Sequence, residues 1–220
     1  MEGVESSTAA GIQSSRRGAR REKMKRICVY CGSSAGANPA HREAAEALGA
    51  LLAARGIGLV YGGGNIGLMG AVADSALRAG GEVIGVIPRA LMEKELGHTG
   101  VTKLHVVGSM HERKQLMADL SGGFIALSGG IGTLEELFET FTWQQLAFHD
   151  KPVSLLNVDG FYDHLLAFLR HTVDEHFLRA GHLDSLLVET DASTLLDRMA
   201  AFRPRHLGKC WEHPPSPAER

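Results

Sequence analysis

The chain is short of cysteine, of aromatic residues and of long apolar runs, and each shortage excludes something. Three cysteines in 220 residues cannot build a disulfide framework, so a reducing compartment, the cytoplasm, is expected. Aromatic residues are only 6% of the chain while glycine reaches 27 residues, nearly twice its usual share. That pairing suits an α/β enzyme with many strand-to-helix turns better than a β-sandwich. No apolar run approaches the ~18 residues that span a bilayer, so no membrane partner is expected. An excess of one charge is missing too: the net charge is −2. Seven Lys/Arg against three Asp/Glu in residues 1–26 make +4 there and leave −6 on the rest. An acidic body argues against nucleic acid as a partner. Eleven histidines are present, but no H-E-x-x-H or Cys/His cluster, and no metal site is expected.

Cys28 and Cys31 form a C-x-x-C inside the run Ile27-Cys28-Val29-Tyr30-Cys31. Residues i and i+3 of a strand face opposite sides of a sheet, so these thiols read as buried small hydrophobes. Residues 1–24 read as a disordered basic tail with no hydrophobic signal segment, and 205–220 as a second tail. Between them, residues 25–204 read as one domain. Short apolar runs fall at 26–31, 58–61, 82–87, 103–107, 123–127, 153–157 and 186–189, and all but the last fit buried parallel strands. Helical patterns cover about 39–55, 66–79, 110–120, 133–147, 160–178 and 192–202. For the first, Asn38 can cap, Pro39 suits the first turn and Gly56 ends it. Repeated βα units predict an α/β fold, a doubly wound Rossmann-like parallel sheet with helices on both faces.

In such a sheet the ligand lies beyond the carboxyl ends of the strands. Gly62, Gly63, Gly64 and Gly67 sit there and satisfy G-x-G-x-x-G. A dinucleotide site is disfavoured, because the motif follows the second strand and Ile87-Pro88-Arg89 offers no carboxylate for a ribose diol. The segment Ser128-Gly129-Gly130-Ile131-Gly132-Thr133-Leu134-Glu135-Glu136 carries more weight. Its glycines let backbone N–H groups converge, and a helix opening at Thr133 adds a partial positive charge, which makes an anion cradle. Glu136 has two readings: Thr133-x-x-Glu136 is a capping box, or the carboxylate is catalytic. Arg113 and Lys114 begin a helix against its dipole, a placement that suits an anionic ligand. Phe141, Trp143 and Leu146 read as core or subunit contact.

Several motifs in register then resemble one family. They are Cys31-Gly32-Ser33-Ser34, the glycine loop through Leu68-Met69-Gly70, Met110-His111-Glu112-Arg113-Lys114, the 129–136 segment and Thr142-Trp143-x-Gln145-Leu146. Over roughly residues 25–200 the chain resembles the LONELY GUY (LOG) family, cytokinin riboside 5′-monophosphate phosphoribohydrolases historically labelled lysine decarboxylase-like. The resemblance implies a Rossmann-like fold, a homodimer or higher homo-oligomer, no cofactor, and hydrolysis of a nucleoside 5′-monophosphate to free base and ribose 5-phosphate. It implies that Arg113 and Glu136 are the catalytic pair. Glu95, Lys114, Gly129, Gly130, Ile131, Gly132, Thr133, Leu134, Glu135 and Thr142 would contact substrate. The family motif usually begins with Pro where this chain has Ser128, and losing that fixed φ should loosen the start of the loop.

Overall fold

A computed structural model describes residues 24–92 and 97–204. Its strands are β1 (Arg26–Tyr30), β2 (Gly58–Tyr61), β3 (Val83–Pro88), β4 (Lys103–Val107), β5 (Phe124–Ala126), β6 (Val153–Leu156) and β7 (Leu186–Glu189). They form one sheet in the order β4-β3-β2-β1-β5-β6-β7, every pair parallel. The helices are α1 (Pro39–Ala54), α2 (Gly67–Arg78), α3 (Arg89–Met92), α4 (Met110–Leu120), α5 (Ile131–Gln145), α6 (Asp163–Asp174), α7 (Ala180–Leu183) and α8 (Ala192–Ala201). Burial divides them into two layers. Leu48 and Leu52 of α1, Val72 of α2 and Leu195 of α8 pack on one face. Met117 of α4, Leu137 and Phe141 of α5 and Leu169 of α6 pack on the other. Among the described residues no helix is long and apolar enough to cross a membrane.

Local chemistry accounts for the helix boundaries. Asn38 caps α1 by accepting from the Ala40 N–H, Pro39 follows, and Gly56 takes up φ +65° just past the end, a conformation that costs a β-carbon. Cys28 and Cys31 point into opposite layers as the strand period requires. Both are free and buried, and burial pushes both thiols up from their ordinary pKa.

Four expectations need correction. Residues 103–107 form an edge strand with Lys103 exposed and Val106 40% exposed, because among the described residues nothing pairs beyond β4 in the sheet. Residues 186–189, the run set apart from the buried parallel strands, pair in parallel with β6. Helix α5 starts at Ile131 rather than Thr133. The helix expected over 160–178 is confined to Asp163–Asp174, since Asp159 and Gly160 adopt φ +51° and +70° and make a separate short turn. Glu95 lies outside the described residues.

Candidate active site

At the carboxyl edge of the sheet, the turns after β1, β2 and β5 and the first turns of α4 and α5 enclose a cleft of about 270 Å³. Two charged side chains reach it from a largely buried position: Arg113 is 7% exposed and Glu136 8%.

Arg113 owes its place to the start of α4. Ser109 caps that helix by accepting from the Glu112 N–H, and the Glu112 carboxylate accepts from the Gly108 N–H. This is the reciprocal S-x-x-E arrangement of a capping box, here one residue upstream on the return bond. It fixes the first turn and sends Arg113 inward. The guanidinium donates from Nε to the Val86 carbonyl and from Nη2 to the Gly62 carbonyl, both at 3.2 Å. Its Nη2 also lies 3.9 Å from Glu136 Oε1, an ion-pair distance too long for a hydrogen bond. A cation in the first turn opposes the helix dipole; two carbonyls and a carboxylate offset that cost.

Lys114 follows Arg113 by one residue, which is ~100° of helix rotation, and points elsewhere. Its ammonium is bonded to Glu135 and lies 3.1 Å from Glu139, tying α4 to α5 outside the cleft lining. Burial works against the Lys114 charge, but the two glutamates outweigh it and hold its pKa above the ordinary value. Of the basic pair, Arg113 alone lines the cleft.

The start of α5 forms the opposite wall. Gly130 is the N-cap, with extended backbone and no side-chain cap, so Thr133 is the third helical residue and does not cap it. The capping-box reading of Thr133 and Glu136 therefore fails on geometry. The first N–H groups of a helix have no partner within it, and here Gly130, Ile131, Gly132 and Thr133 border the cleft. A β-carbon added to Gly130 or Gly132 would meet nothing within 4 Å, whereas one on Gly129 would stand 2.1 Å from Thr133 Oγ1. Glu136 lies one turn further in, and Leu137 beside it enters the core. Leu134 packs against the core edge. Glu135 borders the cleft while bonded to Lys114. Thr142 is exposed, far along α5, and does not line this cleft.

The glycines of 62–67 answer to protein atoms. A β-carbon on Gly62 would stand 2.0 Å from Arg113 Nη2, and one on Gly67 2.3 Å from the Ser33 carbonyl. Gly67 also needs its φ of +61°. Gly63 accepts from the His98 N–H, and Gly64 bridges Gly97. Gly67, the third glycine of the motif, thus serves close packing of the α2 start against the turn after β1. Ser33 and Met110, which belong to polar segments singled out after the first and fourth strands, line the cleft, as does Met69 of the glycine-loop motif. The Val86 carbonyl was not anticipated as part of the site, and only its place near the carboxyl end of a strand could have pointed to it. Among the described residues no His/Cys/Asp/Glu group could hold a metal ion.

A parallel sheet with an open helix start and a buried Arg–Glu pair bordering a cleft at its carboxyl edge defines a Rossmann-like protein. A family model described as "Possible lysine decarboxylase" matches residues 69–199. The chain is 48% identical over 187 residues to the probable cytokinin riboside 5′-monophosphate phosphoribohydrolase LOGL9 of Oryza sativa subsp. japonica, covering 85% of this chain and 82% of that one. It is 47% identical over 194 residues to the cytokinin riboside 5′-monophosphate phosphoribohydrolase LOG1 of Arabidopsis thaliana, covering 86% and 91%. The chain belongs to this family, the LONELY GUY phosphoribohydrolases. In fold it is similar to the molybdenum cofactor binding protein of Rippkaea orientalis, with TM-score 0.62 and 25% identity over 82% of this chain and 98% of that one. The molybdenum cofactor carrier protein of Chlamydomonas reinhardtii gives TM-score 0.61 at 24% identity, covering 82% and 100%.

Proposed function

We propose that the protein hydrolyses the N-glycosidic bond of N6-modified adenosine 5′-monophosphates, releasing the free cytokinin base and ribose 5-phosphate. The observation that carries this reading is the buried Arg113–Glu136 pair facing the same cleft as the open start of α5, in a chain nearly half identical to curated phosphoribohydrolases. Breaking C1′–N9 leaves positive charge on the ribose, as in glycoside hydrolysis. The Glu136 carboxylate stabilises that charge and orients the water whose oxygen joins C1′, while one proton of that water ends on the departing base. The N–H groups from Gly130 to Thr133 hold the 5′-phosphate, and Arg113 supplies a fixed positive charge beside the reacting groups. Lys114 acts at one remove by holding Glu135. Thr142 lies outside the cleft of its own protomer, so contact with substrate requires the cleft of a second copy. No cleft-lining residue among those described is a lysine, so the described lining carries no amine placed for a decarboxylase Schiff base. Free, buried Cys28 and Cys31 fit a reducing location such as the cytoplasm.

The direct experiment is incubation with AMP and with N6-isopentenyl-AMP, followed by chromatography for the free base. The 5′-phosphate is expected to be essential. Two charge-assisted hydrogen bonds to it, at about 1.5–3 kcal/mol each, correspond to roughly 10²-fold or more in kcat/KM. Adenosine cleaved as fast as AMP would show that the helix start does not serve a phosphate.

A homodimer is part of this reading. Leu137 and Phe141 of α5 are buried, but Leu146 stays 41% and Phe148 70% exposed, and a groove between α4 and α5 is lined by Val107, Leu116 and Trp143. Exposed apolar area of that kind marks an interface. Light scattering is expected to return at least twice the chain mass; a monomer mass at micromolar concentration contradicts it.

A further inference from the structure

Strands β1 and β5 are neighbours at the place where the strand order reverses. From β1 the chain leaves toward α1 on one face, and from β5 toward α5 on the other. A crevice opens at such a point. Here its walls touch: the Gly32 N–H donates to the Ser128 carbonyl at 3.0 Å, and Gly129 Cα lies 3.4 Å from where a Gly32 β-carbon would stand.

A side-chain bond crosses the same gap. Ser128 Oγ lies 2.9 Å from His41 Nδ1, joining the turn after β5 to the first turn of α1. The hydroxyl both donates and accepts, so the bond forms with either imidazole tautomer. Ser128 is buried. The His41 ring stands edge-on to Phe161, centroids 5.4 Å apart. The α1 cap is anchored to the same loop, with Asn38 Nδ2 donating to Asp159 Oδ2 at 2.7 Å. His41 is therefore presented to Ser128 by a braced helix start.

Neither residue lines the cleft, so the bond acts through the turn. Gly129, Gly130 and Gly132 have wide conformational freedom, and the spaces above Gly130 and Gly132 are empty. Ser128 is the last side chain before the first two glycines. We propose that Ser128 and His41 are a positioning pair for the phosphate cradle: their bond sets where the glycine turn begins and thereby the affinity of the α5 start for a 5′-phosphate. The identity of the ligand rests on the function proposed above; the positioning role does not require turnover.

The test measures ribose 5-phosphate and adenine binding by calorimetry, and KM and kcat with N6-isopentenyl-AMP, for Ser128→Ala, His41→Phe, the double variant and His41→Asn. Each single variant is expected to weaken ribose 5-phosphate binding and raise KM by about three- to tenfold, the size of one hydrogen bond, with kcat within about twofold. Adenine binding stays unchanged. The double variant is no weaker than the poorer single one. Asparagine, which places a polar atom where Nδ1 stood, restores most of the affinity. Unchanged affinity in the single variants, equal losses for adenine and ribose 5-phosphate, additive losses in the double variant, or a lower Tm with unchanged KM would each overturn the proposal. A wild type that binds ribose 5-phosphate without cleaving nucleotide defeats the proposed function alone. One that binds no ribose 5-phosphate defeats both.

Discussion

Glu136→Gln is expected to lower kcat by on the order of 10²-fold or more while moving Tm by less than about 5 °C. Glutamine keeps the length and one acceptor oxygen, and Arg113 keeps its carbonyl partners Gly62 and Val86, so the fold retains its contacts. What is lost is the negative charge beside a ribose that becomes positive in the transition state. Helix capping does not enter, since Gly130 caps α5 and Glu136 lies well inside the helix. Glu135 is the internal control. It lies ~100° around the helix from Glu136 and is bonded to Lys114, so Glu135→Gln is expected to affect binding more than kcat. Steady-state rates with N6-isopentenyl-AMP decide the matter. Near-wild-type kcat for Glu136→Gln with a dead Glu135→Gln would reverse the two roles.

Gly62→Ala is expected to be nearly as damaging as Arg113→Ala. The added β-carbon would stand 2.0 Å from Arg113 Nη2 and 3.1 Å from Met69 Sδ, so the guanidinium must leave its bond to the Gly62 carbonyl. Gly62 is not among the positive-φ glycines; its backbone accepts alanine, and the effect comes from these side-chain contacts, the guanidinium's above all. Both substitutions are expected to reduce kcat/KM by roughly 10²-fold, the scale of losing one electrostatic group from a transition state. The double variant should be no worse than the poorer single one, because both remove the same cation from the same place. Additive losses would mean that Gly62 serves something other than Arg113.

Much of the fold is legible in the sequence because parallel strands buried on both faces read as short apolar runs. The helix over 110–120 coincides with α4 because its capped start, Ser109 with Glu112, is a local feature. Position in the sheet is a different matter. Lys103-Leu104-His105-Val106-Val107 has the composition of a strand, yet its place at the sheet edge, with no neighbour beyond it among the described residues, makes β4 half-exposed. Ser109 to Glu112 and Thr133 to Glu136 both match S/T-x-x-E at an expected helix start. The extended backbone of Gly130 moves the second helix start upstream, so only the first pair caps a helix. Arg113 and Lys114 look equivalent in the sequence, but one residue of rotation sends Arg113 to the cleft and Lys114 to Glu135 and Glu139. The motif Gly62 to Gly67 shows that close approach is needed there. That the approaching groups are the Arg113 guanidinium and the Ser33 backbone is visible only in three dimensions.

Cleavage of a glycosidic bond in a 5′-monophosphate at this cleft is read most plainly from product stoichiometry. Purified wild-type protein is incubated with N6-isopentenyl-AMP, and base, nucleoside, ribose 5-phosphate and inorganic phosphate are quantified together by chromatography. The predicted result is free base and ribose 5-phosphate in equal amounts, with neither nucleoside nor inorganic phosphate, and no base from Glu136→Gln on the same timescale. Nucleoside with inorganic phosphate, or no base above the protein-free control, would contradict it.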